Sequence, residues 1–118
     1  MTSDEARIAR IAENEVAFRT ANESLRSVFV RAEAVEEAFP FLCECGDTNC
    51  TTLVLLPLEI YADLREHPDW FVIAPGHKQL ETERVLEETD TYHLIEKTGA
   101  AGDIARSRWT PTLLRNGS

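Results

Sequence analysis

Phe41-Leu42-Cys43-Glu44-Cys45-Gly46-Asp47-Thr48-Asn49-Cys50 is the stretch on which the reading of this chain turns. It holds all 3 cysteines of the 118 residues. An odd number of thiols, with no secretory signal, makes a disulfide framework a poor explanation. Clustered reduced thiols point instead to a metal, the plainer reading being three buried or free thiols. A Cys-x-Cys pair clasps one ion from a tight turn, and Gly46 then lets the backbone reverse so that Cys50 returns to it. Asp47 and Asn49 suit the left-handed and turn conformations of such a knuckle. A structural zinc takes four ligands in a tetrahedron, drawn from thiolate sulfur and imidazole nitrogen. Cys43, Cys45 and Cys50 supply three and leave one to come from elsewhere.

The chain offers 3 histidines for that place. His77 is the best candidate, because Pro75-Gly76-His77 is a turn after an apolar stretch and Gly76 permits a close backbone approach. His67 stands at a helix end before Pro68, where a cation suits the helix dipole. His93 reads as an ordinary strand residue. Asp47 or either of these histidines remains an alternative fourth ligand. An iron centre more often takes four cysteines, which favours zinc.

Downstream of the knuckle, Thr51–Leu56 is a β-prone run. Pro57 suits the first position of a helix that Pro68 stops, with Ile60, Tyr61 and Leu64 on one face. Trp70–Ala74 is a second strand. Glu83–Glu88 and Tyr92–Lys97 form a hairpin through Thr89-Asp90-Thr91, with a helix over Leu80–Glu88 as the alternative. Gly99–Arg108 is a short helix, and 109–118 is an irregular tail.

Upstream, residues 1–40 read as one long amphipathic helix ended by Pro40. Thr2 and Glu5 make a capping box. One heptad row, Ile11, Phe18, Leu25, Ala32 and Phe39, is wholly apolar; the other, Ile8, Glu15, Asn22, Phe29 and Glu36, is mixed. A rod of roughly 50 Å would outrun the domain beside it. Part of its stripe would then need a second copy or another protein, with Phe18 and Leu25 as contacts and Asn22 fixing register. Two shorter helices folded over one core are the alternative. The expected fold is thus α+β: a helical element over 1–40, a metal-binding domain with a short antiparallel sheet and one or two helices over 41–108, and the tail.

Charge narrows the functions. The net charge is −9, and residues 43–97 carry twelve acids against four Lys or Arg. Nucleic-acid binders present a basic face to phosphates, and anionic membranes ask for the same, so neither partner is expected. No run reaches the roughly 18 apolar residues of a membrane span. The N-terminus lacks a basic region followed by an apolar stretch, so no signal peptide is expected and the cytoplasm is the expected compartment.

Several pieces together resemble a family of small bacterial proteins of no established activity, built on a Cys-Glu-Cys-Gly…Cys knuckle and a later Pro-Gly-His turn. They are Asn14-x-x-x-Phe18-Arg19-x-x-Asn22, the knuckle from Phe41 to Cys50, Glu59-x-Tyr61-x-x-Leu64-Arg65-x-x-Pro68, Phe71 to His77, and Tyr92…Glu96-Lys97. The resemblance implies a shared fold and metal site and brings no function with it.

The expected function is a non-catalytic zinc protein, regulatory in kind, that binds a protein partner or a second copy through the long helix. The first alternative is a thiol-based sensor that releases zinc on oxidation, weakened by the acidic neighbours Glu44 and Asp47. The second is a zinc hydrolase with water in an open fourth position and Glu44 or Asp47 as base. No phosphate loop or nucleophile–base motif accompanies it.

Overall fold

The structure, a computed structural model, describes residues 3–33, 35–78 and 83–108, with side chains from Glu5 onward. Thr2, the segment 79–82 and the tail 109–118 lie outside the described residues. The chain is α+β: helix α1 (Ser3–Arg31), strands β1 (Phe39–Leu42) and β2 (Leu53–Leu56), helix α2 (Leu58–Leu64), strands β3 (Trp70–Ile73), β4 (Arg84–Glu88) and β5 (His93–Glu96), and helix α3 (Gly99–Ser107). β1 and β2 form an antiparallel ribbon, and β3, β5 and β4 form a second sheet in that order. Pairing in β4–β5 shifts between Val85 and Glu87, which leaves Leu86 as a bulge.

Two differences from the sequence reading have clear causes. α1 ends at Arg31 rather than running to Pro40. Glu33 takes a positive φ of 52° and reverses the chain, and the returning segment becomes β1. Pro40 thus sits inside a strand. Its partner is Leu55, and the ladder bonds fall on the alternate residues: the Cys43 N–H donates to the Thr52 carbonyl, so Phe41 and Phe39 also face β2. Pro40, which has no N–H, stands where none is needed for that pair.

The second difference concerns the helix stripe, which meets its own chain along its length. Ile11 and Ala12 pack with Ala101 of α3. The Arg19 guanidinium donates to the carbonyls of Pro68 at 2.6 Å and Ala105 at 3.2 Å and lies 5.2 Å from the Phe71 ring centre. Leu25 and Phe29 pack against the main core. Phe29 stands edge-on to Phe41 at 5.7 Å, and Phe41 stacks on Tyr61 at 4.4 Å. That core runs through both sheets and includes Cys43 and Cys45. Asn22 is fully buried and bonded within its own chain, so it is not available to fix register with a second helix. Phe18 remains half-buried on the same helix.

Candidate metal centre

Cys43, Cys45, Cys50 and His77 lie close enough to hold a metal ion, their ligand atoms all within 4.8 Å of one another. The sulfurs of Cys43 and Cys50 stand 3.5 and 3.6 Å from His77 Nδ1. The chain folds this way for local reasons. The Asp47 carboxylate accepts the Asn49 N–H at 2.9 Å, and the Cys50 N–H donates to the Asp47 carbonyl at 3.0 Å, closing the knuckle as an Asx turn. The His77 N–H donates to the Ala74 carbonyl at 3.0 Å, and Gly76 supplies the positive φ of 81° that this turn requires. The Ala74 N–H donates to Cys43 Sγ at 3.1 Å, tying turn and knuckle before any ion enters.

The other candidates fall elsewhere. Asp47 is exposed and spends its carboxylate on the turn. His67 is exposed and stacks on Trp70 at 3.6 Å, and His93 lies half-buried on β5.

Three thiols this close repel once ionised. The hydrogen bond from Cys43 draws the Cys45 thiol down to about 5. The same bond, followed by burial, pushes Cys43 well above the ordinary thiol value of 9.0. The pair therefore keeps one proton between them until a cation offsets the second negative charge. A divalent ion does so, which is why metal affinity at such sites is coupled to proton release.

Between the two cysteines of the Cys-x-Cys pair stands Glu44, and the sequence reading missed its role. It is fully buried. Its carboxylate accepts from Tyr61 Oη at 2.8 Å, Asn22 Nδ2 at 2.9 Å and the Val72 N–H at 3.0 Å, with the Arg65 guanidinium 3.7 Å away. One side chain thus ties the knuckle to α1, α2 and β3. Burial, then the Glu44 charge, pushes the Tyr61 hydroxyl well above its ordinary value and keeps it a donor. Glu44 is thus spent on structural partners.

Asn22 is the second residue whose role went unread. Its amide accepts the Leu42 N–H at 2.8 Å and donates to the Leu42 carbonyl at 2.9 Å, so it occupies the edge of β1 as a neighbouring strand would. Asn14 likewise donates to the Gly46 carbonyl at 3.0 Å. The available signal was the spacing Asn14, Phe18, Asn22, which puts two amides on a stripe otherwise destined for burial. A cleft of about 330 Å³ borders the knuckle at Gly46, Asp47 and Thr48, and none of the four candidate ligands lines it.

No protein family, curated protein or solved structure matches this chain in comparison.

Proposed function

We propose that this chain is a non-catalytic zinc protein of a reducing, cytoplasmic compartment that works by contact with another protein molecule. The observation behind it is the three-sulfur, one-nitrogen cluster. That set completes a tetrahedron and leaves no position for substrate or water. The commitment of Glu44 to structural partners supports the same reading, and Cys43, Cys45, Cys50 and His77 do not line the neighbouring cleft. Among the described residues no helix is long and apolar enough to cross a membrane. The acidic balance disfavours nucleic acid and leaves protein as the partner class. Because Asn22 is spent inside its own chain, the contact is sought away from the packed face of α1.

The test is elemental analysis of protein purified under reductant, with the coordination shell read by X-ray absorption. One zinc per chain bound by three sulfurs and one nitrogen is expected. An exchangeable oxygen in place of the nitrogen would overturn the non-catalytic reading and revive a hydrolase.

One observation favours a second reading. Cys50 is half-exposed, whereas Cys43 and Cys45 are buried, so a peroxide can reach one thiolate of the set. Oxidation of two thiolates to a disulfide, with peroxide reduced to water, would release the ion. Zinc release under mild peroxide supports this sensor, and retention at concentrations that oxidise free thiols ends it.

A further inference from the structure

The two edges of the β1–β2 ribbon are treated differently. On the β1 side the outward N–H groups are accounted for. Pro40 has no N–H, Leu42 is paired by the Asn22 amide, and the Glu44 N–H donates to the Val72 carbonyl at 2.8 Å. On the β2 side nothing comparable occurs. Thr52, Val54 and Leu56 turn their backbone groups toward β1, which by alternation leaves Leu53 and Leu55 pointing outward. Among the described residues no strand lies on that side.

The same two leucines are 56% and 49% exposed. With Pro40 and Leu42, their cross-strand partners, they make the outward face of the ribbon wholly apolar. Proteins usually blunt an open edge by keeping it short, or with a charged residue, a proline or a bulge. β2 is short, 4 residues before Pro57, but has no charge, proline or bulge within Leu53–Leu56. It also lies in the longest uncharged run of the chain, Thr48 to Leu58.

We propose that β2 is the contact through which two copies of this chain associate, its open edge paired antiparallel with the same edge of the second copy. The occupant must be a β-strand, because the outward groups of Leu53 and Leu55 ask for main-chain partners. A second copy meets the register. Centring the two-fold axis on Val54 sets Leu53 opposite Leu55 of the other copy, twice, in hydrogen-bonded pairs with the leucyl side chains adjacent on one face. Charge limits where two copies can meet: chains of −9 repel overall, and the run Thr48–Leu58 brings no acid of its own to the contact. The result is a four-stranded sheet, β1-β2-β2-β1.

The experiment is sedimentation equilibrium of the zinc-loaded full chain under reductant, from about 10 µM to about 1 mM, a range suited to a small interface. Wild type should self-associate. Leu53→Lys with Leu55→Lys puts like charges opposite each other and should weaken association at least tenfold. Leu53→Lys with Leu55→Glu puts opposite charges in the same places and should recover most of that loss. Equal behaviour of the two double variants would overturn the register. Amide exchange at Leu53 and Leu55 of wild type provides an arm free of mutation, and protection should rise with protein concentration. A wild type that stays monomeric, with both amides exchanging fast throughout, overturns the second copy as occupant and leaves the edge to a strand of another chain. Zinc content is measured in every arm, so this result stands apart from the outcome of the metal assignment.

Discussion

A Cβ placed on Gly46 would sit 2.9 Å from Glu15 Cγ, from Ile11 Cγ2 and from the Ile11 carbonyl oxygen, at a residue whose φ is +85°. Conformation and space therefore both demand glycine here. At Gly76 the φ is +81° but nothing lies within 4 Å of the same point. Gly76→Ala should cost only the backbone term, about 1–2 kcal/mol. Gly46→Ala should cost several kcal/mol more, because a helix carbonyl cannot move aside as a side-chain end does. Urea unfolding of the two zinc-loaded variants checks the ranking, and equal losses would show that the knuckle does not press on α1. Asn22→Leu makes the complementary test. It strips the partner from the Leu42 N–H and carbonyl and a donor from Glu44, so a loss of roughly 2–5 kcal/mol is expected. A substitution chosen for a helix–helix seam would have strengthened the protein; here it should weaken folding, and a gain in melting temperature would refute the in-chain role.

Among the elements, α1 is joined to the β4–β5 hairpin by ionisable groups sealed from water. Lys97 Nζ lies 2.7 Å from Glu15 Oε2 and also contacts Glu83, with all three side chains buried. Burial pushes the Glu15 carboxyl up to about 9 from 4.5; Lys97 pulls the other way by less, and Glu83 adds to the rise. In the folded protein Glu15 holds its proton at neutral pH, and in the unfolded chain it does not. Unfolding therefore releases a proton between these two values. The Glu15 contribution is present in full below about 4.5 and is lost as pH rises through about 9, at up to about 1.4 kcal/mol per pH unit. Glu15→Gln should flatten that dependence. Urea melts at about pH 6.5 and 8.5 should show wild type losing about 2–3 kcal/mol more than the variant. Zinc linkage is common to both and cancels; parallel pH profiles would contradict the shift. Legibility in sequence followed the same division between local and distant causes. β2, α2, β3 and the hairpin could be read because each is bounded by Pro57, Pro68, Pro75 or a Thr-Asp-Thr turn, signals within the segment. β1 could not: four residues with a central proline look like a helix stop, and only the neighbours of Pro40 in space make it a strand. The four candidate ligands were legible because metal chemistry leaves its mark on residue type. Glu44 and Asn22 were not, because their partners come from three other elements and neither lies next to any of them in sequence.

At the scale of the whole molecule, the candidate metal site is where the two sheets meet. The knuckle leaves the β1–β2 ribbon, His77 follows β3, and the main core passes through Cys43 and Cys45 to Phe71 and Ile95. The amide anchors of α1 also end on this region: Asn14 on Gly46, and Asn22 on Leu42 and Glu44. Binding free energies at small structural zinc sites run to about 10–16 kcal/mol, against about 5–15 kcal/mol for a whole domain. Without the ion, Cys43 keeps its proton and the clasp of four ligands is lost, which leaves the sheets joined by their shared apolar core and by the Ala74–Cys43 and Glu44–Val72 contacts. Chelation is therefore expected to unfold the domain over 41–97 and to loosen α1 with it, since most of a helix's stability in a protein comes from the packing of its apolar face. Far-ultraviolet circular dichroism should show helical and sheet signals lost in one transition, reversed by returning zinc. Cys45→Ser, which removes the thiol of lowest proton affinity in the pair, should reproduce the chelated state. A chelated protein that keeps both its dichroism and its melting temperature would mean that the fold stands without the ion. The cluster would then be a site the fold presents, and the sensor reading would gain what the structural one loses.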